Sequence, residues 1–95
     1  MNKAAGCLGM AIRAKRVTTG EVLFKSFAKG GIRLVIMVDN IGENTKKKLI
    51  DKCTFYDIPY VYMQAEDMES VLANRKYVGI QDNGFAKQLI TCLKG

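Results

Sequence analysis

Ile32-Arg33-Leu34-Val35-Ile36-Met37-Val38 is the stretch that decides the fold. All of it but Arg33 is apolar, and Ile32, Val35, Ile36 and Val38 are β-branched. A strand with one wet face alternates polar and apolar side chains. This run does not alternate, so it reads as a strand covered on both faces. Asp39 and Asn40 end it. A strand of that kind needs helices on both sides of its sheet, and the flanking sequence supplies them.

Upstream, residues 3–14 have Ala4, Leu8, Ala11 and Ile12 at helical spacing. Gly6 and Gly9 weaken that helix, and a close packing contact is expected there. Residues 16–18 read as a short strand. Thr19 is the expected N-cap of a second helix over 21–29, with Glu21 at the positive end of its dipole. Val22, Leu23, Phe24 and Phe27 form its apolar face, and Gly30-Gly31 stops it. Downstream, Asn44 or Thr45 is expected to cap a third helix reaching Cys53, with Leu49, Ile50 and Cys53 inward. Pro59 follows its end, and residues 60–63 read as a strand. A short helix over 67–73, a strand over 77–80 and a last helix capped by Asp82 or Asn83 complete the chain. Phe85, Ala86, Leu89, Ile90 and Leu93 share one face of that helix. The alternation predicts an α/β fold: a three-layer α/β/α sandwich around a small mixed sheet of about four strands. With 95 residues it is read as one domain spanning residues 1–95.

Composition narrows the function. The longest apolar run, residues 34–38, is too short to cross a bilayer. Lys3 and two alanines lead straight into Gly6, Gly9 and Arg13, so no secretory signal is read and a cytoplasmic location is expected. There is no histidine, and Cys7, Cys53 and Cys92 lie far apart, so neither a metal nor another cofactor is expected. The thiols read as small buried hydrophobes. The net charge is +6 and lies wholly at one end. Residues 1–33 carry Lys3, Arg13, Lys15, Arg16, Lys25, Lys29 and Arg33 against Glu21 alone, whereas residues 34–95 balance eight bases with eight acids. Such asymmetry points to a polyanionic partner, since a basic patch binds phosphates by releasing their counterions. A solvated basic face is the alternative.

Thr19-Gly20-Glu21 with Lys25 is the sharpest constellation. The amides of a helix start bind phosphate oxygens, and Gly20 lets a backbone or base approach. Glu21 only accepts hydrogen bonds, so it suits the donor edge of a guanine. Lys25, one turn on, neutralises a phosphate. An ordinary cap with a Glu21–Lys25 pair is the other reading. Lys46-Lys47-Lys48 forms either a second phosphate surface or a solvated face. Without histidine or a paired-carboxylate site, and with glycines that match no nucleotide loop, the chain is not read as an enzyme.

Several words in order carry a resemblance: Leu8-Gly9-Met10-Ala11-Ile12-Arg13-Ala14, Thr19-Gly20-Glu21, Glu43-Asn44-Thr45-Lys46-Lys47-Lys48-Leu49, Ile58-Pro59-Tyr60 and Asp82-Asn83-Gly84-Phe85-Ala86-Lys87. Over nearly its whole length the chain resembles the ribosomal protein family named for archaeal seven-Ae and eukaryotic thirty-e, most of all its small bacterial YlxQ-type members. The resemblance implies an α/β/α sandwich that binds kink-turn RNA, or a similar internal loop in ribosomal RNA, without catalysis. It places Gly20, Glu21 and Lys25 on the sheared guanines and their phosphates. Flanking phosphates fall to Arg13, Lys15, Arg16 and Lys29, and a second contact to Ala73, Asn74, Arg75 and Lys76. Two places depart from the family pattern. Val22 follows Glu21 where a polar pair is usual, and Met68-Glu69 and Ala73-Asn74 stand where small residues are usual. The partner expected is RNA, with a ribosomal or translation-associated role. The alternative is a protein–protein adaptor of the translation apparatus, using the Lys46–Lys48 helix or the acidic Glu66, Asp67 and Glu69.

Overall fold

The computed structural model describes residues 3–94. In chain order the elements are α1 (Lys3–Arg13), β1 (Val17–Thr18), α2 (Gly20–Lys29), β2 (Leu34–Val38), α3 (Glu43–Phe55), β3 (Tyr60–Met63), α4 (Ala65–Val71), β4 (Tyr77–Ile80) and α5 (Asn83–Lys94). The strands form one sheet in the order β1-β4-β2-β3. β4 is antiparallel to both β1 and β2, and β2 is parallel to β3 across the α3 crossover.

The deciding stretch does what its composition requires: all five residues of β2 are buried. The strand begins at Leu34, two residues later than the apolar run, with the Arg33 amide just ahead of it already donating to the Ile80 carbonyl of β4. β3 is an edge strand and alternates instead, burying Val61 and Met63 while Tyr60 and Tyr62 stay partly open. α1, α4 and α5 pack against one another on one face of the sheet. α2 lies on the other face, where Leu23 covers Gly79, and α3 joins it through the stacked rings of Phe27 and Tyr56. The buried residues form one continuous cluster through all three layers.

Several local readings shift. α3 begins at Glu43 with Gly42 as its N-cap, so Asn44 and Thr45 lie inside its first turn. The Gly42 carbonyl already accepts from the Lys46 amide at 2.9 Å, which sets the start two residues early. α4 covers Ala65–Val71 rather than 67–73. The Asp39 carboxylate accepts from the Ala65 amide at 3.3 Å, capping the helix directly after β3. Asp82 caps α5, accepting from the Phe85 amide at 3.0 Å. Val22 does not belong to the apolar face of α2: it is 61% exposed.

Candidate functional site

The start of α2 is open. Thr19 sits at the N-cap with φ −136° and ψ 166°, but its hydroxyl makes no capping bond, contrary to the expected role. The first amides of the helix are therefore not engaged by a side-chain cap. Gly20 adopts φ +62°, a left-handed conformation that glycine accepts without cost. Glu21, Val22 and Lys25 are exposed just beyond it. Among the described residues, no hydrogen bond or ion pair ties the side chains of Glu21 and Lys25 together. The helix-surface pair expected as the bland alternative is thus absent.

The loop between α4 and β4 meets this helix start. Asn74 has φ +64°, and its amide donates to Glu69 Oε2 at 3.3 Å. The Lys76 carbonyl accepts from the Val38 amide at 2.9 Å. Held at both ends, the loop sets Arg75 Nη1 at 3.6 Å from the point a Cβ on Gly20 would occupy. The sheet explains the meeting. Thr18 pairs with Gly79 in antiparallel register, so the chain leaving β1 passes the chain entering β4. Asn74, Arg75 and Lys76 also line a hollow of about 220 Å³ with Val38, Ala65 and Glu69.

The early bases do not all gather at that tip. Arg13, the last residue of α1, and Lys15 and Arg16 just after it are exposed. The Arg16 carbonyl accepts from the Gln81 amide at 2.8 Å, which fixes Arg16 beside the far end of β4, with Arg33 across that strand on its β2 side. At about 3.3 Å per residue, the six residues from Arg75 to Gln81 span roughly 20 Å. By backbone position Arg16 stands at one end of β1 and Arg75 beyond the other, and Lys29 is exposed at the last turn of α2. Lys3 lies apart, beside Lys87 in the groove between α1 and α5.

The lysine run of α3 is divided by the helical turn of about 100° per residue. Lys46 Nζ lies 5.5 Å over the Tyr62 ring. Lys47 borders a small hollow with Glu43 and Asp51. Lys48 faces α2 and shares a cleft with Glu21, Phe24, Lys25 and Tyr77. No spacing in the sequence joins Lys48 to Lys25; only the packing of α3 beside α2 does.

The reading of three buried thiols holds for Cys53 alone. Burial pushes the Cys53 thiol up to about 11. Cys7 is half-buried, and its thiol is raised by burial and then by nearby Cys92, which is exposed. Among the described residues no cluster of three or more histidine, cysteine or carboxylate side chains stands ready for a metal, and no helix is long and apolar enough to cross a membrane.

No protein-family model matches the chain. A protein from Enterococcus faecium named RNA-binding protein YlxQ is 35% identical over 96 residues, covering 98% of this chain and 93% of its own length. The chain belongs to the YlxQ family. Another YlxQ relative, from Bacillus subtilis strain 168, is 34% identical over 93 residues, with 90% of each protein covered. Among solved structures, a Bacillus halodurans protein of unknown function superposes on this YlxQ-family fold with a TM-score of 0.92, at 32% identity and full coverage of both chains. The Giardia lamblia 15.5kD RNA binding protein superposes with a TM-score of 0.73 over 95% of this chain and 83% of its own. At 13% identity that likeness establishes a shared fold. It agrees with the family resemblance carried by the sequence words.

Proposed function

We propose that this YlxQ-family chain is a non-catalytic RNA-binding protein that recognises a kink-turn or similar internal loop, in a ribosomal or translation-associated role. The observation that carries the proposal is the juxtaposition of Arg75 with Gly20, 3.6 Å from where a Cβ would stand. Two segments distant in sequence there share one exposed surface, with a helix start, a carboxylate and several cations. Thr19, Gly20 and the first amides of α2 meet phosphate oxygens. Glu21 accepts from the exposed edges of guanines freed by non-standard pairing, and Lys25 neutralises a phosphate beside them. Arg75 and Lys76 hold the opposite strand, with Asn74 setting the turn of their loop. Arg13, Lys15, Arg16 and Lys29 take flanking phosphates along the β1 edge. The names of the two YlxQ relatives support RNA as the partner.

A gel-shift comparison of a kink-turn RNA with the same RNA lacking its G·A pairs tests this reading. Tighter binding to the intact kink-turn is expected. Neutralising three to five phosphates gives a log–log salt slope of about −2 to −4. Glu21→Ala is expected to abolish the preference for the G·A-containing RNA while keeping general affinity. Lys25→Ala lowers affinity for every RNA. Equal binding of both RNAs by the unmodified protein, or an intact preference in Glu21→Ala, would overturn the assignment of Glu21.

A further inference from the structure

A line of aromatic rings fills the seam between α2 and α3. Tyr77, Phe24, Phe27, Tyr56 and Phe55 follow one another with centroid separations of 5.7, 6.3, 6.0 and 4.8 Å. The middle of the line is core, since Phe27 is fully buried. The end at Phe24 and Tyr77 opens into a cleft of about 420 Å³ walled by Glu21, Lys25 and Lys48. That volume falls in the range of roughly 300–1,000 Å³ typical of small-molecule sites.

The lining has the chemistry of a nucleotide site. Phe24 and Tyr77 are half-buried and meet edge to face at 74°, leaving ring surface toward the opening. Lys25 and Lys48 come from different helices, both are exposed, and neither has an ion-pair partner among the described residues. A base already stacked within a duplex offers no free face to such a cleft, whereas an unpaired one does.

We propose that this cleft is a subsite for one unpaired nucleotide of the bound RNA. The base lies face-on to one ring of the Phe24–Tyr77 pair and meets the edge of the other, as their 74° angle requires, and its phosphate lies between Lys25 and Lys48. The inference rests on the RNA-binding reading above and adds to it a single-stranded contact on the α3 side of α2.

The test uses the full chain and two RNAs: a kink-turn whose unpaired loop nucleotides are adenosines, and the same RNA with those nucleotides made abasic in turn. Removal of the seated base is expected to weaken binding about tenfold. In Phe24→Leu, and separately in Tyr77→Leu, that base is expected to make no difference. Lys48→Ala should weaken intact and abasic RNA alike and flatten the salt slope by about 0.7 to 0.9, the loss of one phosphate contact. Lys48 is exposed and makes no ion pair among the described residues, so this variant reports on binding whatever the ring variants do to folding. If kink-turn binding persists but no abasic position couples to Phe24 or Tyr77, or if Lys48→Ala changes neither affinity nor slope, the subsite is wrong and the main reading stands. Absence of binding to either RNA overturns both.

Discussion

The two helical layers on either side of the sheet differ in how much of themselves they bury. α1, α4 and α5 bury Ala4, Ala5, Leu8, Ala11, Met68, Ala86 and Leu89, and pack closely against one another. α2 and α3 together bury only Leu23, Phe27, Leu49 and Cys53. They leave Val22 and Phe55 exposed and carry six lysines, Lys25, Lys29, Lys46, Lys47, Lys48 and Lys52. Each layer carries a surface hollow: a groove of about 580 Å³ between α1 and α5, lined by small and aliphatic side chains with Lys3 and Lys87 at its rim, and a ring-lined cleft of about 420 Å³ where Lys48 of α3 meets Phe24 and Lys25 of α2. The difference teaches that one layer chiefly closes the core. The other trades burial for a charged, ring-lined surface beside the helix start that we assign to RNA.

Removing a side chain from each layer gives the widest contrast. Leu8→Ala, in the closed layer, should cost about 2–5 kcal/mol of stability, because a fully buried leucine leaves a cavity. Phe55→Ser, at a residue 79% exposed on the open layer, should stay within about 0.5 kcal/mol. Urea unfolding of the two variants checks the comparison, and equal losses would break it. Next in size is Gly79→Ala. A Cβ there would run into the Leu23 side chain and lie 3.2 Å from Thr18 Cγ2, so the buried Leu23 must leave its place against the sheet, by a new rotamer or a shift of α2. A loss of about 1–3 kcal/mol is expected, read as a lower urea midpoint. Smallest, and opposite in sign, is Thr18→Val. The Thr18 hydroxyl is buried without a hydrogen-bond partner, and valine keeps the β-branched shape without the polar atom. A gain of up to about 1 kcal/mol follows, visible as a higher thermal midpoint, and a loss would show that the hydroxyl has a role in the folded protein.

Much of this was legible in the chain. The unbroken apolar run at Leu34–Val38 forced a strand covered on both sides, and the elements around it follow from helical and turn signals. Helix starts were read less well. Gly42 and Asp39 govern α3 and α4 through a backbone carbonyl and a carboxylate from a neighbouring strand end, which a local capping rule does not see. Thr19 was placed correctly, yet its hydroxyl does not cap. For the candidate site, Gly20, Glu21 and Lys25 were visible as a cluster because they lie within two turns of one helix. Their neighbours were not. Arg75 reaches Gly20 only through the β1–β4 register, and Lys48 reaches Lys25 only through the packing of two helices.

By itself the sequence determined the layer order, the position of each strand and the excess of positive charge in the first third of the chain. Those properties depend on side-chain period and composition, which are local and additive. Tertiary structure alone decided which cations share a surface. It placed Arg16 at the far end of β1 from Arg75, set Lys3 apart beside Lys87, and brought Arg75 to Gly20 and Lys48 to the cleft beside Lys25. The physical reason is that sheet register and helix packing join residues far apart in the chain, and no local spacing encodes that meeting.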